Sequence, residues 1–431
     1  FRPAPKRLTG RTHVPPYLDK VYQGGIKSSR GLLMRRIYMD HNATTPVHPD
    51  VLEAMLPYFT KYFGNASSVH SFGREARNGM EEARERLANF IGASPSEIIF
   101  TSGGTESDNF AIEGTAYENV KKGKHIITTL IEHHAVLNTC KHLETHGFEV
   151  SYLTVDKYGV IDLDELNDLI RDETILITIM HANNEVGTIQ PLKEIGQIAK
   201  ERGIVFHSDA VQSLGKIPIN VDELGVDMMS FSAHKIYGPK GIGALYIRKG
   251  TKVEPLIRGG HHERNRRGGT ENVPGIVGFG KAIEIASADM EQESKRLWNL
   301  TEKLKNGLLE KLDYIYINSH PIQRLPNTLN VSFDYVEGES ILLNLDMKGI
   351  AASTGSACTS GSLEPSHVLL ALGICAATAQ GAIRFSLGRS NTDEDIDYVL
   401  DELPTIVNRL RSMSPLYADR VKQDKSVISD Q

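Results

Sequence analysis

The most informative segment of the sequence is Ser-Phe-Ser-Ala-His-Lys-Ile-Tyr-Gly-Pro-Lys-Gly-Ile-Gly, residues 230–243. The apolar run that leads into it, from Val226 to Phe231, predicts a buried strand, and the glycines and proline that follow demand a turn. Lys235 is therefore expected at the end of a strand. Partial removal of its amine from water would favour the neutral form, which condenses with aldehydes. The alternative is an ordinary exposed lysine, and the rest of the chain decides between the two.

Strand-like and helix-like segments alternate upstream of this stretch. Apolar runs occupy residues 125–130, 148–153, 174–180, 203–208 and 226–232, and helix-like segments lie between them at 135–146, 162–171 and 191–202. This alternation predicts an α/β fold whose mainly parallel sheet is covered by helices on both faces. In such sheets, ligands bind beyond the carboxyl ends of the strands.

Polar residues follow the predicted strands where a ligand would bind. They are His133, Asn184, Asp209, Gln212 and Lys235. A further strand, near 97–102, ends in Gly103-Gly104-Thr105 before a predicted helix. Because the first N–H groups of a helix are free, this junction can bind an anion. A tight connection with a helix cap fits the same residues.

Size and composition exclude several classes of protein. With 431 residues, 40% hydrophobic and 24% charged, the chain reads as a soluble globular protein of two or three domains. No apolar run reaches the roughly 18 residues of a membrane span. The net charge of −6 predicts neither nucleic acid nor an anionic membrane as a partner. The basic run 264–270 could suggest nucleic acid on its own, but the acidic whole argues against it.

Cysteine usage points to a reducing compartment. The three cysteines, Cys140, Cys358 and Cys375, are too few for a disulfide framework and form no CxxC pair that would suggest zinc. We therefore expect a cytoplasmic protein. A mitochondrial matrix location is the alternative if the basic N-terminal segment is the remnant of a targeting sequence.

The composition changes on both sides of the alternating region. Residues 1–36 carry nine Lys or Arg against one acid, Asp19, and predict a flexible basic extension. Helices are predicted at 49–62, 73–91, 283–312 and 392–413, and strand-like pieces at 328–333, 349–353 and 382–386. We expect a large cofactor-binding domain at 45–285, a smaller α+β domain formed by 37–44 and 286–416, and a flexible tail at 417–431.

The candidate residues are complementary in a way that one cofactor requires. Pyridoxal phosphate needs a lysine for its aldehyde, a buried carboxylate beside its pyridine nitrogen, amides and hydroxyls for its phosphate, and a flat partner for its ring. Lys235 can supply the amine and Asp209 the carboxylate. Gly104 and Thr105 can bind the phosphate, and His133 can be the flat partner of the ring. Plainer interpretations stay open: Asp209 as a helix cap, and His133 as a loop histidine or a metal ligand beside His134.

Three motifs make the sequence resemble a known family. They are Ser-Ala-His-Lys-Ile-Tyr-Gly-Pro-Lys-Gly (232–241), Ser-Asp-Ala-Val-Gln (208–212) and Gly-Ser-Ala-Cys-Thr-Ser-Gly-Ser-Leu-Glu-Pro-Ser (355–366). Over about residues 37–415 the chain resembles the cysteine desulfurases of the NifS/IscS group. The resemblance implies the fold-type I architecture of pyridoxal phosphate-dependent transferases, with a mainly parallel, seven-stranded-type sheet in the large domain. It also implies a homodimer that converts L-cysteine to L-alanine and keeps the sulfur as an enzyme persulfide.

The resemblance also assigns roles position by position. It places the cofactor on Lys235, the partner of the pyridine nitrogen at Asp209 and ring stacking at His133. Further cofactor contacts fall on Gly104, Thr105, Asn184, Gln212, Ser232 and His234, with Thr270 reaching across from the other subunit; substrate contacts fall on Asn42, Asn184 and Arg384. Arg384 matches the arginine that binds the substrate carboxylate, a task that suits the guanidinium fork. A strand-end salt bridge is the alternative for Arg384.

Cys358 is the predicted sulfur acceptor. The small side chains around it, at 355–357 and 359–362, predict a loop that can move and leaves the thiol reachable, whereas a structural cysteine would have bulky apolar neighbours. As a thiolate, Cys358 can attack the sulfur of cofactor-bound cysteine, and His133 is placed to manage the thiol proton. Cys140 and Cys375 are expected to be packing residues. No metal site is predicted, although a contact between Cys358 and an iron–sulfur centre is left open.

Other functions fit parts of the same sequence. A selenocysteine lyase would share the fold, and another fold-type I enzyme such as an aminotransferase would need no mobile cysteine. A non-catalytic scaffold for iron–sulfur assembly would not need Lys235, Asp209 and Cys358 together. A persulfide enzyme predicts an iron–sulfur scaffold or another sulfur acceptor as its partner. The segment 410–416 resembles the region with which family members dock that scaffold.

Overall fold

A computed structural model describes residues 35–354 and 364–420 of the chain. Three of the predictions made from the sequence lie wholly or partly outside these residues. They concern the basic extension up to residue 34, the loop that carries Cys358, and the tail from residue 421 onward.

The central sheet has seven strands, six of which run in the same direction. Its strands are β2 (Ile98–Thr101), β3 (His125–Thr129), β4 (Glu149–Leu153), β5 (Thr174–Thr178), β6 (Val205–Asp209), β7 (Met228–Ser232) and β8 (Gly243–Ile247). Their order across the sheet is β2-β8-β7-β6-β5-β3-β4. Strands β3 to β7 are parallel, and β8 is antiparallel to both β7 and β2. The mainly parallel α/β sheet expected from the sequence is confirmed.

Helices cover both faces of this sheet. They are α1 (Pro49–Met55), α2 (Pro57–Thr60), α3 (Ser71–Ile91), α4 (Gly104–Glu118), α5 (His134–Thr145), α6 (Leu163–Leu169), α7 (Leu192–Arg202), α8 (Val221–Leu224) and α9 (Val273–Lys311). Successive residues of one strand enter different cores: Met228 packs in one apolar cluster and Met229 in another. Since side chains alternate across a strand, this is the pattern of strands buried on both faces.

The C-terminal part of the described chain contains a second, smaller sheet. Its elements are β9 (Ile315–Ile317), β10 (Thr328–Phe333), α10 (Gly338–Asp346), β11 (Ile350–Ala351), α11 (His367–Ala371), α12 (Ala376–Gln380), β12 (Ala382–Ser386) and α13 (Asp393–Ser412). Strands β12, β10 and β9 form an antiparallel sheet, and β11 pairs with β1 (Ile37–Tyr38) near the start of the described chain. The segment 37–44 thus begins against the C-terminal part, although the domain boundaries themselves stay a prediction.

The long helix α9 connects the two parts. Near its start, Ile276 and Phe279 pack in the core of the large sheet, and further along Leu300 and Leu304 pack in the core of the small sheet. The sequence predicts this helix from residue 283, but it begins ten residues earlier, where the Asn272 side chain accepts a hydrogen bond from the Gly275 N–H. The early start was hidden by the glycines of the first turns, which are poor helix formers alone.

Two further boundaries differ from the sequence prediction. The helix expected over 49–62 is broken into α1 and α2, because Pro57 begins a new helical turn. Strand β8 was not predicted. Its residues follow the glycine turn of the 230–243 stretch directly, so a chain reversal replaces the helix that separates the other strands.

A buried ion pair ties the loop before α9 to the core. The Arg84 guanidinium in α3 donates to both carboxylate oxygens of Glu263 at 2.8 Å, and the side chains are 2% and 3% exposed. Glu263 also accepts from the Phe100 N–H at 3.0 Å, and Arg84 donates to the Ile98 carbonyl at 2.7 Å. The pair therefore connects α3, β2 and the 263–270 loop.

Glu263→Gln is expected to lower the free energy of unfolding by about 3 kcal/mol, because it leaves the Arg84 charge buried without its counter-charge. Glu81→Gln is the matched control, since Glu81 contacts the same arginine at 3.2 Å but is 38% exposed; its cost should stay below about 1 kcal/mol. Urea unfolding of the two variants measures the difference. Equal losses would show that the buried pair has no special weight.

Within residues 35–354 and 364–420, no helix combines the length and apolar character required to cross a membrane.

Candidate active site

The carboxyl ends of β6 and β7 bring the predicted residues together. After β7 a 3-10 turn, Ala233–Lys235, carries the chain to Lys235. The Lys235 Nζ donates to the main-chain carbonyls of Asn42 and Ala43, at 2.5 and 2.8 Å. The next turn is fixed at Tyr237, whose φ of +66° lies in the region that favours glycine. Its N–H donates to the Thr45 hydroxyl at 2.8 Å, so the segment around residues 42–45 holds both Lys235 and the turn behind it.

Asp209 ends β6 and is buried. One of its carboxylate oxygens accepts from the Val211 N–H at 2.8 Å. Burial raises the pKa of Asp209 above its usual range, while the Val211 hydrogen bond and the charge of Lys235 act in the opposite direction. A buried carboxylate of this kind is stabilised by a further cation close to it.

Two more buried carboxyl groups, Asp108 and Glu132, lie near Asp209, and neither is among the site residues predicted from the sequence. Burial, reinforced by the charge of Asp209, raises the pKa of Asp108 well above its usual range. Burial also raises the pKa of Glu132 to about 8. Asp108 Oδ1 lies 3.7 Å from His207 Nε2, and burial lowers the pKa of His207 to about 3. Asp209 therefore has two buried acids near it whose pKa values are raised by burial.

His133 caps helix α5 just beyond the carboxyl end of β3, which β5 separates from β6 in the sheet. Its Nδ1 accepts from the Ala135 N–H at 3.1 Å, so the proton of the neutral ring is assigned to Nε2. Burial lowers the pKa of His133 to about 4, with the charge of Lys235 acting in the same direction. The ring is therefore neutral near pH 7. The cap and the predicted role as a cofactor partner are compatible, because the cap uses Nδ1 and leaves the face of the ring and Nε2 for other contacts.

An open cavity of about 360 Å³ lies at the amino end of α4. Its lining includes the residues predicted to bind phosphate: Gly104, Thr105, Ser232 and His234. The other residues of the wall are not among the predicted site residues; they are Thr44, Ser102, Gly103, Glu106, Lys240 and Gly241. A side chain at Gly104 would place its Cβ 2.6 Å from Val211 Cγ2, so only glycine lets the chain pass here.

Arg384 lies in β12 of the small sheet and reaches the same region. Its side chain is 3% exposed and pairs with Asp40 at 2.8 Å. A second guanidinium nitrogen donates to the Asn184 carbonyl at 2.9 Å, and Nε is buried without a hydrogen-bond partner among the described residues. The salt bridge that was the alternative prediction for Arg384 is therefore present. It still leaves N–H groups of the guanidinium available to a ligand.

Asn42 connects these groups. Its carbonyl accepts from Lys235 Nζ and from Gln212 Nε2, the latter at 3.0 Å. Its side-chain amide donates to the Asn184 carbonyl at 3.2 Å and accepts from Lys216 Nζ at 3.2 Å. Lys216 was not singled out from the sequence. Its only signal there was its position four residues after Gln212.

The remaining predicted site residues are Thr270 and Cys358. Thr270 is exposed and does not line the cavity of its own chain. Its loop is held to the start of α4 through a bidentate pair between Arg267 and Glu106.

Cys358 lies outside the described residues. Of the two cysteines expected to be packing residues, Cys140 is buried, but Cys375 is exposed, so that prediction was wrong. Cys375 precedes the first turn of α12, a helix too short to cover it.

A buried histidine lies directly behind Lys235. His41 is 2% exposed, its two ring nitrogens have no hydrogen-bond partner in the described part of the chain, and it lines a small enclosed cavity with Lys216 and Lys235. Burial lowers the pKa of His41 to about 3, and the charge of Lys216 acts in the same direction.

His41 is expected to make the fold sensitive to acid. The unfolded chain takes up a proton at His41 as the pH falls through about 6.5, while the folded chain does not until about 3, so stability is lost over that window. Between pH 7.5 and 5 the loss due to His41 amounts to about 2 kcal/mol. His41→Asn should therefore lose about 2 kcal/mol less than wild type between urea titrations at these two pH values. His142→Gln, on the exposed face of α5, is the control and should follow the wild type. A His41→Asn protein with the wild-type pH dependence would contradict the assignment.

Comparison with known proteins places the chain in a family. The model of the class-V aminotransferase family matches residues 37–399. The solved structure of a NifS-like protein superposes with a TM-score of 0.82 and 45% identity, over 87% of this chain and all of the other. The structure of SspA in complex with cysteine gives a TM-score of 0.73 and 42% identity, over 81% of this chain and 98% of the other. The chain thus has the fold of the class-V aminotransferase family.

A curated relative narrows this class. Cysteine desulfurase IscS of Methanosarcina thermophila is 59% identical over 382 residues, which cover 89% of this chain and 94% of the relative. The chain belongs to the cysteine desulfurases of the NifS/IscS group, within the class-V aminotransferase family.

Proposed function

We propose that the chain is a pyridoxal phosphate-dependent cysteine desulfurase that converts L-cysteine to L-alanine and passes the sulfur to Cys358 as a persulfide. The observation that carries the proposal is the position of Lys235. Its amine is held by two main-chain carbonyls at the carboxyl edge of the sheet, close enough for its charge to act on the pKa of Asp209, and the preceding residue, His234, lines the cavity at the start of α4. The solved relative SspA, which binds cysteine in its structure, supports cysteine as the substrate.

The residues present fit pyridoxal phosphate. Asp209 is a buried carboxylate whose raised pKa calls for a cation, and a protonated pyridine nitrogen is such a cation. The cavity at the amino end of α4 offers free N–H groups with Thr105 and Ser232 hydroxyls, which suits a phosphate. Lys235 would hold the cofactor's aldehyde carbon, and His133 would stack against the ring. When bound, pyridoxal phosphate supplies an electron sink for negative charge at the substrate α-carbon.

Arg384 would bind the substrate carboxylate. Its guanidinium has five N–H donors, and the described contacts to Asp40 and the Asn184 carbonyl use two of them. The buried Nε has no partner among the described residues and is suited to an anion. Because Asp40 fixes the guanidinium plane, the substrate carboxylate would be oriented as well as bound.

Two groups would handle protons near the substrate. Lys235, once released by the incoming amino acid, would move the proton at the α-carbon. His133 keeps its Nδ1 occupied by the Ala135 N–H, so Nε2–H is its donor group. In this state His133 is suited to hydrogen-bonding a substrate thiolate or to returning a proton. Removal of the thiol proton by His133 would require the ring to release the Nε2 proton first.

The fate of the sulfur is proposed from the sequence alone. Cys358 would accept it as a thiolate nucleophile and give it to an acceptor protein, such as an iron–sulfur scaffold. The described chain flanks this loop on both sides, with Ser353 bridged to Arg384 and the Ser366 hydroxyl donating to Glu185 at 2.6 Å. Both flanks therefore rest on residues beside the site.

A second copy of the chain would complete the site. Exposed apolar side chains lie on and after α1 and α2, including Leu56, Phe59 and Phe63, the last 64% exposed. Such a patch is typical of an interface. Ser67, close by in sequence, lies 3.4 Å from His262 at the start of the loop that carries Thr270. A partner at this patch would allow Thr270 to contact the phosphate of the other subunit.

The test is product formation by purified protein supplied with pyridoxal phosphate, L-cysteine and a thiol reductant. We expect alanine and sulfide in a one-to-one ratio, because the reductant releases the persulfide sulfur. Pyruvate with ammonia in place of alanine would indicate elimination chemistry. No product from a protein that has bound the cofactor would overturn the proposed reaction.

A further inference from the structure

Lys216 is a second amine in the site, close to Lys235. It follows β6, four residues after Gln212, and its Nζ donates to two side-chain amide oxygens. The acceptors are Gln212 Oε1 at 3.0 Å and Asn42 Oδ1 at 3.2 Å. Burial lowers the pKa of Lys216 well below its usual range, and the charges of Lys235 and Arg384 act in the same direction. An amine donates hydrogen bonds whether or not it carries the extra proton, so both contacts persist in either state.

The hydrogen bond from Lys216 to Gln212 determines the orientation of the Gln212 side-chain amide. With Oε1 facing Lys216, Nε2 faces the other way and donates to the Asn42 carbonyl at 3.0 Å. An amide nitrogen has two N–H groups, and this hydrogen bond uses one of them. Within the described part of the chain the second N–H is not used, so it is available to a ligand. If the amide turned over, an oxygen would replace that donor.

The Asn42 amide is fixed in the same way. Its Oδ1 accepts from Lys216 and from Asn327 at 3.0 Å, while its Nδ2 donates to the Thr328 hydroxyl at 2.9 Å. The main-chain carbonyl of Asn42 accepts from both Lys235 and Gln212. By fixing Asn42, Lys216 therefore also fixes the carbonyl that accepts from Gln212 Nε2, and so holds the Gln212 amide from both ends.

We propose that Lys216 is a positioning residue, which fixes the Gln212 and Asn42 amides so that Gln212 presents an N–H donor to the cofactor. This inference rests on the proposed function, because it requires pyridoxal phosphate to bind beside Gln212. Lys216 itself is not expected to touch the cofactor. Its effect on the cofactor should therefore disappear when Gln212 can no longer donate.

A double-mutant cycle on cofactor affinity tests this dependence. Pyridoxal phosphate is titrated into the full-length apoprotein, with visible absorbance as the readout, for wild type, Lys216→Met, Gln212→Leu and the double variant. We expect each single variant to bind about tenfold more weakly, and the double variant also about tenfold rather than about 100-fold more weakly. Lys193→Met, an exposed lysine on α7, is the control and should bind as wild type does.

Two results would overturn the proposal. Losses that multiply in the double variant would show that Lys216 acts independently of Gln212, and wild-type affinity in Lys216→Met would show that it has no role. If Lys216→Met does not fold, Lys216→Gln takes its place in the same cycle, because glutamine removes the amine with a smaller loss of polarity. A wild-type apoprotein that binds no pyridoxal phosphate would refute the proposed function as well, which separates that failure from the two above.

Discussion

Lys235→Ala is expected to form alanine from L-cysteine roughly 10⁴-fold more slowly than the wild type, because the same amine holds the cofactor and moves the substrate proton. The substitution also removes the hydrogen bonds from the Lys235 amine to the carbonyls of Asn42 and Ala43, at 2.5 and 2.8 Å. Alanine formation by the cofactor-loaded variant, measured over hours, gives the residual rate.

Lys235→Arg is the matched variant for this prediction. It keeps a positive charge and hydrogen-bond donors near the two carbonyls, but a guanidinium stays protonated and does not condense with an aldehyde. We expect it to be as inactive as Lys235→Ala while retaining more of the wild-type thermal stability. Activity near the wild-type level in either variant would move the proposed lysine elsewhere, with Lys216 and Lys240 as the nearest amines in the two cavities.

Cys358→Ala is expected to lower the rate of alanine formation by more than roughly 100-fold, or about 3 kcal/mol in the barrier. The proposed reaction cannot finish without a thiolate to take the sulfur. Binding of L-cysteine should survive, because Lys235, Asp209 and Arg384 are unchanged. The change in cofactor absorbance on addition of L-cysteine should therefore persist while alanine does not accumulate.

Cys375→Ala provides a sharp control for Cys358→Ala. Cys375 is exposed, and hydrogen bonding with Thr378 lowers the pKa of its thiol, so it is the other reachable candidate among the chain's cysteines. We expect this variant to keep the wild-type rate. Loss of alanine formation in Cys375→Ala with retention in Cys358→Ala would assign the sulfur acceptor to Cys375.

The ends of the strands could be predicted from the sequence because local signals mark them. Period, turn residues and the alternation of strands with helices mark where β6 and β7 end, and a parallel sheet then places Asp209 and Lys235 on the same edge. Strand β8 was not predicted, because a glycine turn, and not a helix, connects it to β7. Cys375 was misjudged because apolar neighbours in sequence do not ensure burial in a helix of five residues.

The contacts that the sequence could not show are long-range. Arg384 meets Asp40 across 344 positions of the chain, and Lys216 meets Asn42 across 174. Neither pairing has a spacing that a periodic pattern could reveal. Buried acids such as Asp108 and Glu132 were hidden for a related reason, since burial of a charged residue type runs against its usual surface location.

Chemical trapping of the cofactor on its lysine would show directly whether Lys235 is the residue that holds pyridoxal phosphate. Holoenzyme reduced with borohydride and digested should yield one peptide that carries the added mass of a pyridoxyl phosphate group, with the modification on Lys235. Borohydride fixes only the carbon–nitrogen bond that already exists, so the label reports the native attachment. A label on Lys216, on Lys240 or on no lysine at all would contradict the account.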